Sequence, residues 1–163
     1  MKLTHWVNKE YVGKVLSGKG LVSDNGIAYK PNGIWLSVDG GWESWCRTEM
    51  PGWIGKGKVC LGAKLKDGIN IWKIDCKEDF DKEWDIRFWS EGSRALIRRE
   101  YEKFRLFWKH ICEKYDGIYI TEKAFWEMRL DNMFAYSCDC SCIVVFDARN
   151  VIFFEERDMN GNC

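Results

Sequence analysis

Histidine occurs twice in this 163-residue chain, at His5 and His110. His5 stands within Lys2–Val7, a run that reads as a short strand, while His110 falls off the apolar stripe of a long helix. His5 is therefore the histidine placed to serve a site. A second group lies in Gly33–Asp39, whose alternation sets Ile34, Leu36 and Val38 on one face and Trp35, Ser37 and Asp39 on the other. An indole that shares its face with a hydroxyl and a carboxylate, opposite an aliphatic face, is turned toward a cleft. Trp45 follows in the short helical run Trp42–Arg47 and pairs with Trp35 as a candidate aromatic wall. Cys138-x-Cys140-x-Cys142 puts three thiols on one side of an extended chain. Zinc sites more often pair Cys-x-x-Cys knuckles, so this alternating spacing reads as small packed residues with no metal. Glu78-Asp79 in an acidic run, and Glu100 beside Lys103, read as solvated charge.

The elements that must hold these residues follow from periodicity and turn chemistry. Asn8 is read as the N-cap of a helix carrying Tyr11, Val12, Val15 and Leu16, stopped by Gly18 and Gly20. Ser23-Asp24-Asn25-Gly26 and Pro31-Asn32-Gly33 read as turns around an extended piece, Ile27–Tyr29. Strands are expected over Lys58–Leu65 and Ile69–Ile74, parted at Lys66-Asp67-Gly68, as a hairpin or a sheet edge. The longest pattern covers Ser93–Tyr115, where Ile97, Tyr101, Phe104, Trp108, Ile111 and Tyr115 recur at steps of four and three. That spacing predicts an amphipathic helix with one buried stripe. Asp116-Gly117 ends it, a strand takes Ile118–Thr121, a helix Glu122–Arg129, and Ser141–Phe146 and Val151–Phe154 are closing strands. The expected class is α+β, as a single domain over residues 1–155 with a polar tail over 156–163.

Composition narrows the function. Lys+Arg and Asp+Glu both number 25, so the whole-chain field attracts neither a phosphate backbone nor an anionic membrane. The opening Met1–Trp6 lacks the apolar run of a signal peptide and no segment is long enough to span a bilayer, which predicts a cytoplasmic protein without membrane partners. In that compartment the 8 cysteines are expected as reduced thiols. Ten Trp and nine Phe are many for this length, and some of these rings are expected to line a site.

Taken in order, the pieces resemble ADP-ribosyltransferase domains of the poly(ADP-ribose) polymerase and toxin types. Leu3-Thr4-His5, followed by a helix and Val15-Leu-Ser-Gly-Lys-Gly-Leu-Val22, is similar to the opening of that fold, where a strand-borne histidine precedes a helix ending at a glycine–leucine turn. Gly33-Ile-Trp-Leu-Ser37 running to Glu43-Ser44-Trp45-Cys46 resembles the strand and helix of the second motif. Tyr115-Asp-Gly-Ile-Tyr119, then Cys142-Ile-Val-Val-Phe-Asp147 and Val151-Ile152, resemble the closing strands. The resemblance implies a split mixed or antiparallel β-sheet with flanking helices, and a cleft that takes NAD as substrate.

Carried over to this chain, it implies that His5 hydrogen-bonds the nicotinamide ribose and that Trp45 replaces the tyrosine stacked on the nicotinamide ring. Trp35 and Ser37 then flank the pocket. Breaking the nicotinamide glycosidic bond develops oxocarbenium character, which calls for a rigid aromatic wall, polar groups on the ribose and a carboxylate facing the positive charge. The alignment puts Cys142 where the family's glutamate stands. Asp139, three residues earlier, is the candidate in its place, with Glu122 and Glu127 more distant; Trp6 stands where a small residue often follows the histidine. The implied function is cleavage of NAD, with ADP-ribose passing to a macromolecule, a protein in preference to a nucleic acid, or to water. The alternative is a non-catalytic module of the same fold that binds a nucleotide or a protein partner, as an inhibitor or sensor.

Overall fold

The computed structural model describes residues 1–18, 29–84 and 96–155. The turn expected at Ser23–Gly26, most of the extended piece after it, the Ser93 end of the long helix and the tail over 156–163 lie outside these residues, as do the side chains of Ile97, Glu100 and Tyr101. The fold is α+β, built on one mixed sheet of seven strands. In chain order the strands are β1 (Leu3–Asn8), β2 (Ile34–Val38), β3 (Lys58–Leu65), β4 (Ile71–Ile74), β5 (Gly117–Ile120), β6 (Cys142–Val145) and β7 (Val151–Glu155). Across the sheet the order is β4-β5-β6-β2-β1-β3-β7. Only β4 and β5 are parallel; every other neighbouring pair is antiparallel.

Alternation along the strands divides the core. On one face Trp72, Ile74, Ile118, Ile120, Cys142 and Val144 meet the helices α3 (Lys77–Glu83), α4 (Leu96–Lys114), α5 (Glu122–Met128) and α6 (Met133–Tyr136). On the other, Leu3, Ile34, Leu36, Val38, Ile143, Val145 and Val151 pack together. Trp35 packs against the helical side and Ile34, Leu36 and Val38 against the opposite one, as the period of two in β2 predicts. Phe104, Trp108 and Ile111 of the predicted stripe are buried in α4, and Phe107 beside them is fully buried as well. Among the described residues no helix is long and apolar enough to cross a membrane.

Three local expectations change. β3 and β4 form no hairpin: β3 pairs with β1 and β7, while β4 is the edge strand beyond β5 at the far side of the sheet. The first helix is a 3-10 turn at Lys9–Tyr11 leading into α1 (Val12–Leu16), and Asn8 makes no side-chain cap bond. Of its expected apolar side Val15 is buried, whereas Tyr11 and Leu16 are exposed. The helices α3 and α6 have no counterpart in the sequence reading.

The join between β1 and β2 positions the site. β1 pairs with β3 along its whole length, from Leu3↔Ala63 to Asn8↔Lys58, yet with β2 only at Leu3↔Val38 and Thr4↔Ser37. Beyond Thr4 the two strands part. After β2 the chain turns sharply through Asp39 at φ 48° and Gly40 at φ 79° into α2 (Gly41–Glu49). The left-handed conformation at position 40 favours glycine, and the turn brings the start of α2 back over the parting strands.

Candidate functional site

A cavity of about 340 Å³ opens where β1 and β2 diverge. β1 lines it with Thr4, His5 and Trp6, and β2 with Trp35 and Ser37. Trp42 at the start of α2 and Trp53 of the 3-10 turn Pro51–Trp53 supply further aromatic wall. Lys30 and the segment Cys138–Cys140 that enters β6 complete it. Four of the five residues singled out from the sequence, His5, Trp35, Ser37 and Asp139, therefore share one cavity. Trp45 does not line it. Its ring stacks on Trp42 with centroids 5.1 Å apart and an 18° interplanar angle, and it faces a neighbouring cavity instead.

His5 bridges the parted strands. Its Nδ1 lies 2.9 Å from the carbonyl oxygen of Trp35. A carbonyl only accepts, so Nδ1 carries the proton and donates, which leaves Nε2 of the neutral ring as an acceptor. Burial lowers the His5 pKa, and the Trp35 hydrogen bond offsets this only in part. The ring is accordingly neutral at pH 7.

Glu43 on α2 ties the opened strands together. Its Oε1 accepts from Thr4 Oγ1 at 2.6 Å and Trp6 Nε1 at 2.9 Å, and its Oε2 from Ser37 Oγ at 2.8 Å. Burial pushes its pKa up, but the hydrogen bonds from Thr4, Trp6 and Ser37 outweigh that and hold it below the ordinary carboxylate range. Ser37 spends its one hydroxyl proton on Glu43 and accepts from the Trp42 N–H at 3.1 Å. It braces the wall, and its hydroxyl has no second proton to donate to a ligand.

Asp139 differs from Glu43 in every respect. It adopts φ 65° in the short link between α6 and β6, and its carboxylate has no hydrogen-bond partner among the described residues. Burial raises its pKa; the charges of Lys30 and Arg129 pull the other way without cancelling that. The cysteines around it are not nucleophiles. The hydrogen bond with Cys138 and complete burial push the Cys142 thiol well up, and burial does the same to Cys140. A thiol held protonated is unreactive. The described cysteines are all free, and no cluster of three or more His, Cys, Asp or Glu among the described residues is arranged to hold a metal ion.

Glu122 sits at the start of α5 on the neighbouring cavity, and Glu127 accepts from the Lys77 N–H away from both cavities. Sequence reasoning missed Glu43, Lys30, Trp42 and Trp53 as parts of the site. Glu43 did leave a signal, a carboxylate six residues after Ser37 and just past a Gly-Gly turn. The chain matches no protein-family model, no curated protein and no solved structure.

Proposed function

We propose that the cavity between β1 and β2 binds NAD and that the chain cleaves it at the nicotinamide glycosidic bond, passing ADP-ribose to a protein or to water. The observation that carries this reading is the meeting, at the parting of β1 and β2, of His5, Trp35 and an unpartnered Asp139, drawn from three separate segments. The parting of the strands is also what a split sheet requires. Neutral His5, with Nε2 open as an acceptor, suits a ribose hydroxyl. Trp35, Trp42 and Trp53 take over the aromatic wall from Trp45, which stands behind Trp42 as its support.

Nicotinamide leaves with the electron pair of the C–N bond, and the Asp139 carboxylate faces the positive charge left on the ribose. The nucleophile forms its bond to the same carbon, and its proton passes to Asp139 and on to solvent. Asp139 acts as a carboxylate, so its raised pKa makes the rate fall on acidification at a higher pH than an ordinary aspartate would.

Nicotinamide release from NAD tests the proposal. Asp139→Asn is expected to slow release by about a hundredfold while leaving NAD affinity within about twofold, because the charge it meets exists only in the transition state. No release by the folded protein rejects the enzyme reading. Binding without release supports the second reading, a non-catalytic nucleotide-binding module, which is favoured by the protonated thiol of Cys142 opposite Ser37 where the family's glutamate stands.

A further inference from the structure

A second cavity, of about 510 Å³, lies across Asp139 and Cys140 from the first, which lists both residues among its own lining. We propose that it binds an arginine side chain presented by a protein partner. Its walls are aromatic: Trp45 of α2, Tyr119 of β5 and Trp126 of α5. Its charge is one-sided, with Asp39, Glu49, Glu122 and Asp139 against the single cation Arg129. Because the chain as a whole is neutral, this excess is local.

Three of those carboxylates, on Glu49, Glu122 and Asp139, have no ion pair or hydrogen bond among the described residues. The fold already stacks a guanidinium on this wall. Arg129 lies over the ring of Phe125 at 5.1 Å and of Trp126 at 5.5 Å, so the rings suit a planar cation and Trp45 and Tyr119 extend the same surface. A guanidinium fits better than an ammonium because it is flat, weakly hydrated and able to meet a carboxylate with two parallel hydrogen bonds. The negative field turns phosphates away, which favours a protein over a nucleic acid as the carrier of the cation.

The site is independent of what the first cavity holds. If the first cavity takes NAD, the arginine stands beside Asp139 on the side away from the nicotinamide; if it does not, the arginine still anchors a partner. The test therefore omits NAD. Nα-acetyl-arginine methylamide is titrated into the full chain while tryptophan fluorescence is followed, with the citrulline analogue as an uncharged control of nearly the same shape. The expected result is saturable binding of the arginine compound, weaker at high salt, with little binding of the citrulline one. The exposed double substitution Glu49→Gln with Glu122→Gln is expected to weaken it by about tenfold. Trp45→Ala is expected to weaken it as well, with Trp45→Phe retaining most of the affinity. His5→Gln, which alters only the first cavity, leaves it unchanged. No saturable binding, equal binding of the citrulline compound, or full affinity in the double variant overturns the proposal, whatever NAD does.

Discussion

At His5 two unequal pulls act on one ring. Burial lowers its pKa and the Trp35 carbonyl raises it, with burial prevailing. The unfolded chain takes up this proton near pH 6.5 while the folded chain resists it, so the unfolded state binds more protons and stability falls as pH drops from about 7. Glu43 has the same sign but acts lower, since its depressed pKa makes its stabilisation full above the ordinary carboxylate range and lost only as pH falls below it. Asp139 has the opposite sign because its pKa is raised. His5→Gln keeps an N–H for the Trp35 carbonyl and removes the titration. Between about pH 7 and 5.5 the melting temperature of the parent is expected to fall more steeply than that of His5→Gln, measured by calorimetry. Glu43 and Asp139 are common to both proteins and cancel in the difference. Parallel curves would mean that His5 is not desolvated in the folded chain.

The strongly periodic elements were legible in the sequence. The α4 stripe and the two faces of β2 follow from periods of 3.6 and 2, and both hold in the packing. α3 was not legible because, of Lys77–Glu83, Phe80 is the only buried residue, and its N-cap is a cysteine instead of a usual capping residue. α6 is only four residues long. The β3–β4 hairpin failed for another reason: which strands pair is decided by partners far along the chain, and a turn at Lys66-Asp67-Gly68 serves a crossover as well as a hairpin. On α4, Trp108 is buried against Phe104, Phe107 and Phe134, while its Nε1 lacks a hydrogen-bond partner. Trp108→Ala is expected to cost about 3 to 5 kcal/mol for the cavity it leaves. Trp108→Phe should cost less than half of that, because it also removes a buried donor that no acceptor meets. Urea unfolding midpoints check both; equal losses for the two variants would show that the indole N–H is satisfied.

At the scale of the molecule the site is where a sheet comes apart. The residues that sequence alone located, His5, Trp35 and Ser37, sit on the two strands that diverge, and their alternation gives away the face they share. Trp42, Trp53 and Lys30 were hidden because they reach the cavity through turns and helix packing, which no local pattern encodes. Trp45 was misplaced by one helical turn: Trp42, three residues earlier, lines the first cavity while Trp45 stacks behind it and opens on the second. The abundance of tryptophan thus divides between a core around Trp72, Trp84 and Trp108 and the walls of two adjoining cavities. The central claim is that the first of these holds NAD by its nicotinamide end. It is tested most directly by a crystal structure of Asp139→Asn grown with NAD. The account predicts the nicotinamide ring against the indoles of Trp35 and Trp42, with a ribose hydroxyl donating to His5 Nε2. A crystal with NAD bound elsewhere, or with the cavity empty at millimolar NAD, would contradict it.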